Sequence, residues 1–257
     1  MDLPLNTFKR ALSSGTQQIG LWCSLPGSYA AEAAAGAGFD WLLFDTEHSP
    51  GDPLTVLAQL QAVAAYPVSA IVRPASNDAV LIKRFLDIGA QTLLIPYVQT
   101  VDEARAAVSS MHYPPAGIRG VSGVTRATRF GRVDGYAQKA ATELCLLVQV
   151  ETEQAIGRIG EIAAVEGVDG IFVGPGDLAA SLGLAGQLNH KTVVSAVERA
   201  ISAIRAAGKP AGILTTDTVF AQRCIQLGTT FTAVGVDAAM LARQADNLAK
   251  AFGRGPI

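Results

Sequence analysis

Short apolar segments rich in β-branched and aromatic residues alternate along the chain with Ala- and Leu-rich segments in which apolar residues recur at helical spacing. The helical segments include 28–38, 52–66, 78–89 and 100–113, several with Ser, Asp or Thr as the expected N-cap and several closing on Gly. The apolar segments show little polar alternation, as parallel strands buried on both faces do. Eight of them are predicted strands, at 19–25, 41–47, 68–74, 92–98, 144–151, 170–176, 211–216 and 231–237.

Eight strand–helix units in this order predict an α/β fold, a (β/α)8 TIM barrel formed as a single domain over residues 1–257. A doubly wound open sheet is the alternative, but it normally has fewer units and a phosphate-binding glycine loop near its start. The dense glycine segment FVGPGDL contains an Asp that would repel phosphate. The barrel is therefore favoured.

Composition narrows the class of protein. The chain is 49% hydrophobic and only 16% charged, against a charged share of about 25% in typical soluble domains, so partner chains are expected to cover part of its surface. A net charge of −2 gives no field for nucleic acid or an anionic membrane. No apolar run approaches the ~18 residues of a membrane span, and the first residues lack a signal-peptide pattern. With Cys23, Cys145 and Cys224 far apart, we expect a cytoplasmic protein with buried thiols that acts on small molecules.

Two acidic residues follow neighbouring strands of the predicted barrel. Glu151 ends the run LCLLVQVE, and Asp177 follows GIFVGPG. Because active sites of TIM barrels lie at the carboxyl ends of the strands, the two carboxylates should meet at one rim. Carboxylates with water or substrate in the remaining positions suit a hard divalent cation such as Mg²⁺ or Mn²⁺. The alternative is that each carboxylate only caps the helix that follows it.

Other polar residues are predicted on the same rim. His48 is the candidate general base. Asp45 and Glu47 lie next to it in sequence and are expected to orient its ring, to bind waters of the metal or to have only a structural role. An arginine at a barrel mouth, such as Arg73, requires an anionic partner. A 2-oxo acid substrate is one candidate, whose developing enolate the guanidinium would stabilise. The alternative is a structural salt bridge to Glu47 or Asp78. Gln149 shares a strand face with Glu151 and is a candidate donor to a bound carbonyl.

The longest irregular segment, 113–135, is rich in Gly, Pro and Arg. A loop of that length in a compact domain is usually functional. We expect it to contact the second substrate, together with residues near Leu214. Arg119 and Arg126 within it are expected either to meet a second carboxylate or to bind an adjacent subunit.

Six ordered motifs together resemble one family: FDWLLFDTEHSP, IVRPASND, TLLIPYVQT, YPPAGIRGVSG, VQVET and GVDGIFVGPGDL are similar to the HpcH/HpaI aldolases, nearly end to end. The resemblance implies a (β/α)8 barrel and a class II, metal-dependent pyruvate aldolase. Such an enzyme cleaves a 4-hydroxy-2-oxo acid, for example 4-hydroxy-2-oxoheptanedioate, to pyruvate and an aldehyde such as succinate semialdehyde. It also implies a homohexamer, a trimer of dimers, in which the C-terminal helix is exchanged between subunits.

Carried over residue by residue, the resemblance makes Glu151 and Asp177 the ligands of Mg²⁺, Mn²⁺ or Co²⁺. It makes Arg73 the residue that binds and polarises the pyruvyl oxygen, and Gln149 a substrate contact. The backbone of Gly174, Pro175 and Gly176 becomes a cradle for the substrate carboxylate. His48 becomes the acid/base, with Asp87 of a neighbouring subunit as its partner. Thr46 and Gly176 depart from the Gly and Ala common in the family, which bears on specificity.

Three other interpretations of the sequence remain open. A Schiff-base aldolase would need a lysine in the barrel, and Lys9, Lys83, Lys139, Lys191, Lys209 and Lys250 all lie outside the predicted strands. The same metal site would also serve a lyase for 2-dehydro-3-deoxy sugar acids or an oxaloacetate decarboxylase. A barrel retained only for binding or assembly would be expected to show a degenerate rim, which this sequence does not.

Overall fold

The computed structural model describes residues 1–255; positions 256 and 257, the end of the predicted domain, lie outside the described residues. Eight parallel strands form a closed barrel in chain order, and the last strand pairs with the first. The predicted TIM barrel is confirmed. The strands are β1 Gln18–Cys23, β2 Trp41–Asp45, β3 Ser69–Arg73, β4 Thr92–Ile95, β5 Cys145–Val150, β6 Gly170–Val173, β7 Ala211–Leu214 and β8 Thr229–Val236.

Helices surround the barrel and return the chain from each strand to the next. Asp52, Asp78 and Thr100 cap their helices through side-chain hydrogen bonds, as predicted. The expected cap at Ser28 is wrong, because that residue is already helical and follows Gly27. The helices are α1 Thr7–Ser13, α2 Ser28–Ala35, α3 Pro53–Ala62, α4 Ala79–Asp87, α5 Val101–Met111, α6 Tyr136–Glu143, α7 Glu153–Ile156, α8 Ile159–Ala163, α9 Pro175–Ser181, α10 Lys191–Ala206, α11 Thr218–Gln226 and α12 Asp237–Ala251, with a short 3-10 turn at Val63–Ala65. None of the described helices is long and apolar enough to cross a membrane.

Every strand ends one to three residues before its predicted end. Proline explains three of these ends, since Pro74, Pro96 and Pro175 have no N–H to donate to the ladder. The residues beyond the strands form the rim at the carboxyl end of the barrel. Glu47, His48 and Glu151 therefore lie on rim loops rather than inside strands.

An aromatic cluster fills the barrel at its amino end. Phe8 of α1 contacts Trp41 and Phe231 edge to face, with ring centroids 6.1 and 5.9 Å apart. Gly20 and Gly212 make room for these rings, because a Cβ at either position would lie 2.1 Å from an atom of Trp41 or Phe231. We call Phe8, Trp41 and Phe231 the aromatic plug.

The long segment 113–135 lies at the same amino end. It follows α5, which begins beyond the carboxyl end of β4 and runs back toward the start of β5. Its residues contact other parts of that end: Ala127 N–H donates to the carbonyl of Asp87, and Arg126 donates to the carbonyl of Ile88. Within one chain this segment lies far from the rim, so its expected contact with the second substrate stays a prediction that requires an adjacent subunit.

Candidate active site

Glu151 and Asp177 lie beside each other on the rim, beyond neighbouring strands β5 and β6. Neither acts as an N-cap: Thr152 caps α7, and Gly174 is the N-cap residue of α9 with no side-chain hydrogen bond. The alternative that the two carboxylates merely cap helices is wrong.

Three contacts fix the Glu151 side chain, which is only 1% exposed. Its Oε1 accepts a hydrogen bond of 2.9 Å from the backbone N–H of Tyr97, and its Oε2 accepts one from the Gln149 side chain. Tyr97 has φ 53°, a left-handed conformation that strains a residue with a side chain and here points an amide at the carboxylate. Gly174 packs so closely that a Cβ there would lie 2.4 Å from Glu151 Oε2.

The electrostatic surroundings of Glu151 are unfavourable to its charge. Burial raises the pKa of Glu151 to about 7, and the charges of Asp177 and Glu47 act in the same direction, against the hydrogen bonds from Gln149 and Tyr97. Burial also raises the pKa of Glu47, with Asp45 and Asp177 adding to the effect and Arg73 and His48 opposing it. Three carboxylates thus face one another on this rim.

These residues fit a divalent cation. Across residues 1–255, no salt bridge involves Glu151 or Asp177, and the buried Oε1 of Gln149 has no hydrogen-bond partner. A buried carboxylate without a cationic partner is costly, and a hard cation would remove that cost. The described residues contain no group of three or more His, Cys, Asp or Glu arranged to hold a metal. Two carboxylates, those of Glu151 and Asp177, would leave positions on the ion for water and substrate.

Arg73, at the end of β3, is 5% exposed and held on several sides. Its Nε and Nη2 donate to the two oxygens of Asp45 at 2.8 and 2.7 Å, and its guanidinium lies 4.7 Å from the ring centroid of Trp22. Its Nη1 is 2.6 Å from Glu47 Oε2, although these atoms are not aligned as a hydrogen bond. At most three of its five N–H groups are used, so the rest can meet a substrate. The predicted salt bridge to Glu47 is present, and Asp78 instead caps α4.

Asp45 is the main anchor of Arg73. Burial acts to raise the pKa of Asp45, but the hydrogen bonds and charge of Arg73 outweigh it, with help from the N–H of Glu47 and the indole of Trp22. The net result holds the pKa of Asp45 below its ordinary value, so the pair is ionised at neutral pH.

His48 lies at the outer edge of the rim. Its side chain is 65% exposed, and its Nε2 lies 3.8 Å from Glu47 Oε2. Within one chain the imidazole thus has one carboxylate neighbour and free access to a ligand that enters from solvent.

Asp87 is not brought to this site by its own chain. It is the last residue of α4, a helix that runs from the carboxyl end of β3 back toward the start of β4, so it lies at the amino end of the barrel. There its carboxylate accepts a hydrogen bond of 2.8 Å from Arg119, whose fully buried guanidinium lies 4.5 Å from the ring centroid of Tyr113. Within its own chain, Arg119 therefore pairs with Asp87 at the amino end of the barrel and does not lie at the rim.

A cavity of about 660 Å³ opens at the rim beside Pro175 and Gly176 and extends between α10 and α11. Leu214 and Thr215, at the end of β7, form another part of its wall. Glu151, Asp177 and Arg73 do not line it, so the cavity adjoins the carboxylate site through the Pro175–Gly176 turn.

The six lysines confirm the argument against Schiff-base chemistry. Five lie on helices, and Lys209 precedes β7, where its Nζ donates to the carbonyl of Val168. No lysine projects from a barrel strand in the described chain.

Two contributors were missed by reasoning from sequence. The Tyr97 amide acts through backbone conformation, which leaves no mark on residue type, and Trp22 is one apolar residue among many in β1. To place the Trp22 ring beneath Arg73, one would need to know the pairing register of β1 with β2 and of β2 with β3.

Comparisons with known proteins agree with this geometry. A sequence model of the family described as HpcH/HpaI aldolase/citrate lyase matches residues 18–244. The chain is 67% identical over 252 residues to a pyruvate aldolase of Rhizobium etli, covering 98% of this chain and 99% of that protein. It is 55% identical to a 4-hydroxy-2-oxo-heptane-1,7-dioate aldolase of Shigella sonnei, covering 96% of this chain and 95% of that protein.

A solved structure shares the fold closely. A crystal structure of a HpcH/HpaI aldolase/citrate lyase family protein from Burkholderia cenocepacia superposes with a TM-score of 0.92 at 39% identity, covering 96% of this chain and 99% of that one. The barrel, the rim carboxylates and the matched sequence together confirm the resemblance seen in the motifs: the chain belongs to the HpcH/HpaI aldolase/citrate lyase family.

Proposed function

We propose that the chain is a metal-dependent pyruvate aldolase, a carbon–carbon lyase that reversibly cleaves a 4-hydroxy-2-oxo acid to pyruvate and an aldehyde. The observation that carries the proposal is the buried Glu151 beside Asp177, with the guanidinium of Arg73 on the same rim. Relatives at 55% identity or more that are named as aldolases of this type support it.

Glu151 and Asp177 would hold the cation, with Mg²⁺, Mn²⁺ and Co²⁺ all suited to carboxylate and water ligands. When bound, the ion acts as a Lewis acid that withdraws electron density from the carbonyl of the 2-oxo acid. Tyr97 and Gln149 fix the orientation of Glu151 before any ligand arrives. The turn of Gly174, Pro175 and Gly176 would receive the substrate carboxylate through the N–H of Gly176 at the start of α9, since Pro175 has no N–H and that of Gly174 donates to the carbonyl of Val150.

The remaining residues handle the proton and the charge. In cleavage, His48 takes the proton of the 4-hydroxyl, the O–H electron pair forms the aldehyde carbonyl, and the C3–C4 bond breaks. The electrons of that bond form the C2–C3 double bond of the pyruvate enolate, whose oxygen accepts a hydrogen bond from Arg73. Gln149 would donate to a second substrate oxygen, and protonation at C3 completes pyruvate. Synthesis runs the same steps in reverse.

Assembly would complete the proton relay. Asp87 lies at the far end of its own barrel, so it can assist His48 only from a second copy of the chain. We propose a homo-oligomer, a hexamer as the family resemblance implies, in which α12 is exchanged between subunits. The lack of any buried residue on α12 supports this arrangement.

The test uses two readouts on the same enzyme: release of pyruvate from a 4-hydroxy-2-oxo acid, and exchange of the C3 protons of pyruvate for deuterium without aldehyde. Removing metal with a chelator is expected to abolish both, and added Mn²⁺ to restore both. Glu151→Gln should lose both even with metal, while Glu161→Gln, a change at an exposed carboxylate, should keep them. His48→Ala and Arg73→Ala should each lower kcat/KM for cleavage at least 100-fold, within the range for general acid–base and electrostatic catalysis.

Full activity after chelation, together with a covalent adduct trapped by borohydride, would establish Schiff-base chemistry instead. Full activity in both the His48→Ala and Arg73→Ala variants would show that the rim assignment is wrong.

A further inference from the structure

The cavity beside the Pro175–Gly176 turn has no lysine or arginine in its lining, all of which belongs to the described chain. Apolar side chains from Leu188, Leu214 and Phe220 form much of its wall, and threonine and amide side chains supply neutral polar groups. Its acidic member is Asp217. The lining therefore favours apolar or hydroxylated groups over anions.

Helix N-termini are the usual alternative to basic side chains for binding an anion, and three helices begin at this cavity. The start of α9 has no side-chain cap and is the place proposed above for the carboxylate of pyruvate, whereas the starts of α10 and α11 are capped. Asp217 accepts hydrogen bonds of 2.9 and 3.0 Å from the N–H groups of Val219 and Phe220, the second and third residues of α11. At α10, the N–H of Thr192 donates to Nδ1 of His190 at 3.2 Å. Nδ1 of His190 is therefore already used within the cap of α10.

The basic residues nearest in sequence do not change this picture. Arg223 of α11 is paired with Glu198, its Nε 2.5 Å from a carboxylate oxygen. Lys191 is exposed at the start of α10 and is not part of the cavity wall. With pyruvate at the start of α9, a carboxylate or phosphate that entered the cavity would lose water, meet no lysine or arginine of this chain and face Asp217.

We propose that this cavity holds the tail of the aldehyde and selects aldehydes with an uncharged tail over those that carry a carboxylate or phosphate. The inference rests on the proposed pyruvate aldolase function, because the Pro175–Gly176 turn that would receive pyruvate is also part of the cavity wall. An aldehyde tail placed there keeps its carbonyl end toward the carboxylate site.

A matched pair of acceptors tests the preference: succinate semialdehyde and its uncharged methyl ester, each added to pyruvate with saturating Mn²⁺. The wild-type enzyme is expected to show a kcat/KM at least tenfold higher for the ester. Equal or better use of the carboxylate would overturn the inference.

Thr216, an exposed residue of the cavity wall, allows a charge to be introduced outside the catalytic residues. Thr216→Arg is expected to lower the ester-to-carboxylate ratio at least fivefold, whereas Thr216→Gln, which adds length without charge, should keep the wild-type ratio. Identical ratios in the two variants would show that the cavity does not receive the tail.

Deuterium exchange at C3 of pyruvate, measured without aldehyde, distinguishes a failure of the cavity assignment from a failure of the proposed aldolase function. If metal-dependent exchange is present and the preference is absent, only the cavity assignment fails. If wild-type enzyme with metal shows no exchange, the proposed function fails and the cavity assignment with it. Normal exchange in both Thr216 variants shows that they are folded.

Discussion

Gly174 shows how a residue without a side chain determines the geometry of a site. The space a Cβ would occupy is filled by Glu151 and Gln149, with Glu151 Oε2 at 2.4 Å and Gln149 Nε2 at 2.9 Å. Because Glu151 is also tied to the Tyr97 amide, it cannot move aside without losing a hydrogen bond. The proposed metal ligand Glu151 and the glycine behind it form one packed unit.

Gly174→Ala is therefore expected to weaken Mn²⁺ binding at least tenfold, because the new methyl group must displace Glu151. Isothermal titration of the metal-free protein with Mn²⁺ measures this change. Gly176→Ala is the matched control, since no atom lies within 4 Å of its Cβ position, and its Mn²⁺ affinity should stay near that of wild type. Equal affinities in both variants would contradict the role assigned to Gly174.

Asp45 provides a prediction on pH. Its pKa is lowered in the folded protein, so the folded state releases this proton at a lower pH than the unfolded state does. The stabilisation is therefore fully present above the unfolded pKa of about 3.9 and is lost as the pH falls through the folded value. Asp45→Asn removes one partner of a buried pair, a change that costs about 3 kcal/mol at neutral pH.

Urea unfolding of wild type and Asp45→Asn at pH 7 and pH 3 measures this effect. The difference in free energy of unfolding between the two proteins should be largest at pH 7 and should shrink at pH 3, because below about 3.9 the unfolded chain takes up a proton at Asp45 more readily than the folded protein does. A difference that is the same at both values would mean that the Asp45 charge does not stabilise the fold.

Sequence predicted the residues whose role follows from their position at the end of a strand. Glu151, Asp177 and Arg73 were placed on one rim because parallel strands of a barrel all deliver their carboxyl ends to the same face. Tyr97 and Trp22 could not be predicted, since one acts through a left-handed backbone and the other through the register of β1. Such contacts depend on neighbours that are distant along the chain.

At the scale of elements, α12 is the helix that its own chain leaves uncovered. None of its residues is buried, and Met240, Leu241 and Leu248 are all more than half exposed. Leu241 and Leu248 are seven residues apart and therefore share one face of the helix. An apolar face of this kind suits a second copy of the chain.

Replacing Leu241 and Leu248 together by Glu is expected to convert the oligomer to smaller species, because two charges would enter the contact. Analytical ultracentrifugation measures the change, and far-UV circular dichroism checks that the helix remains. Arg243→Glu places its charge on the opposite face and should leave the assembly intact. A wild-type protein that sediments as a monomer would rule out the proposed exchange of α12.

The existence and order of the eight strands followed from the apolar segments, but their ends did not. The predicted strands extended into the rim because Val and Thr continue past the last strand residue, for example at Val98 and Thr215. The N–H groups of these two residues still donate to the carbonyls of Gln149 and Ala233, although the regular strand has ended. Helix caps were more predictable, since they depend on a hydrogen bond within three residues.

At the scale of the whole molecule, the position of segment 113–135 was not predictable from its composition. It connects α5 to α6 and lies at the amino end of its own barrel beside Asp87, so a role at an active site requires a second copy of the chain. The alternation of strand and helix would have placed it there once the end of α5 was known. The overall barrel was predictable because it depends on many segments at once.

The aromatic plug has a consequence for how this protein can change over time. Phe8, Trp41 and Phe231 close the barrel at the end opposite the cavity, and none of them lines it. Leu214 of the cavity wall packs against the cluster that contains these rings. Substitutions at exposed wall residues such as Thr216 leave the closing contacts intact, since mutations far apart with no shared partners add nearly independently. Natural or laboratory selection for a new aldehyde can therefore change residues at the cavity end of the barrel while the contacts of the aromatic plug at the other end stay the same.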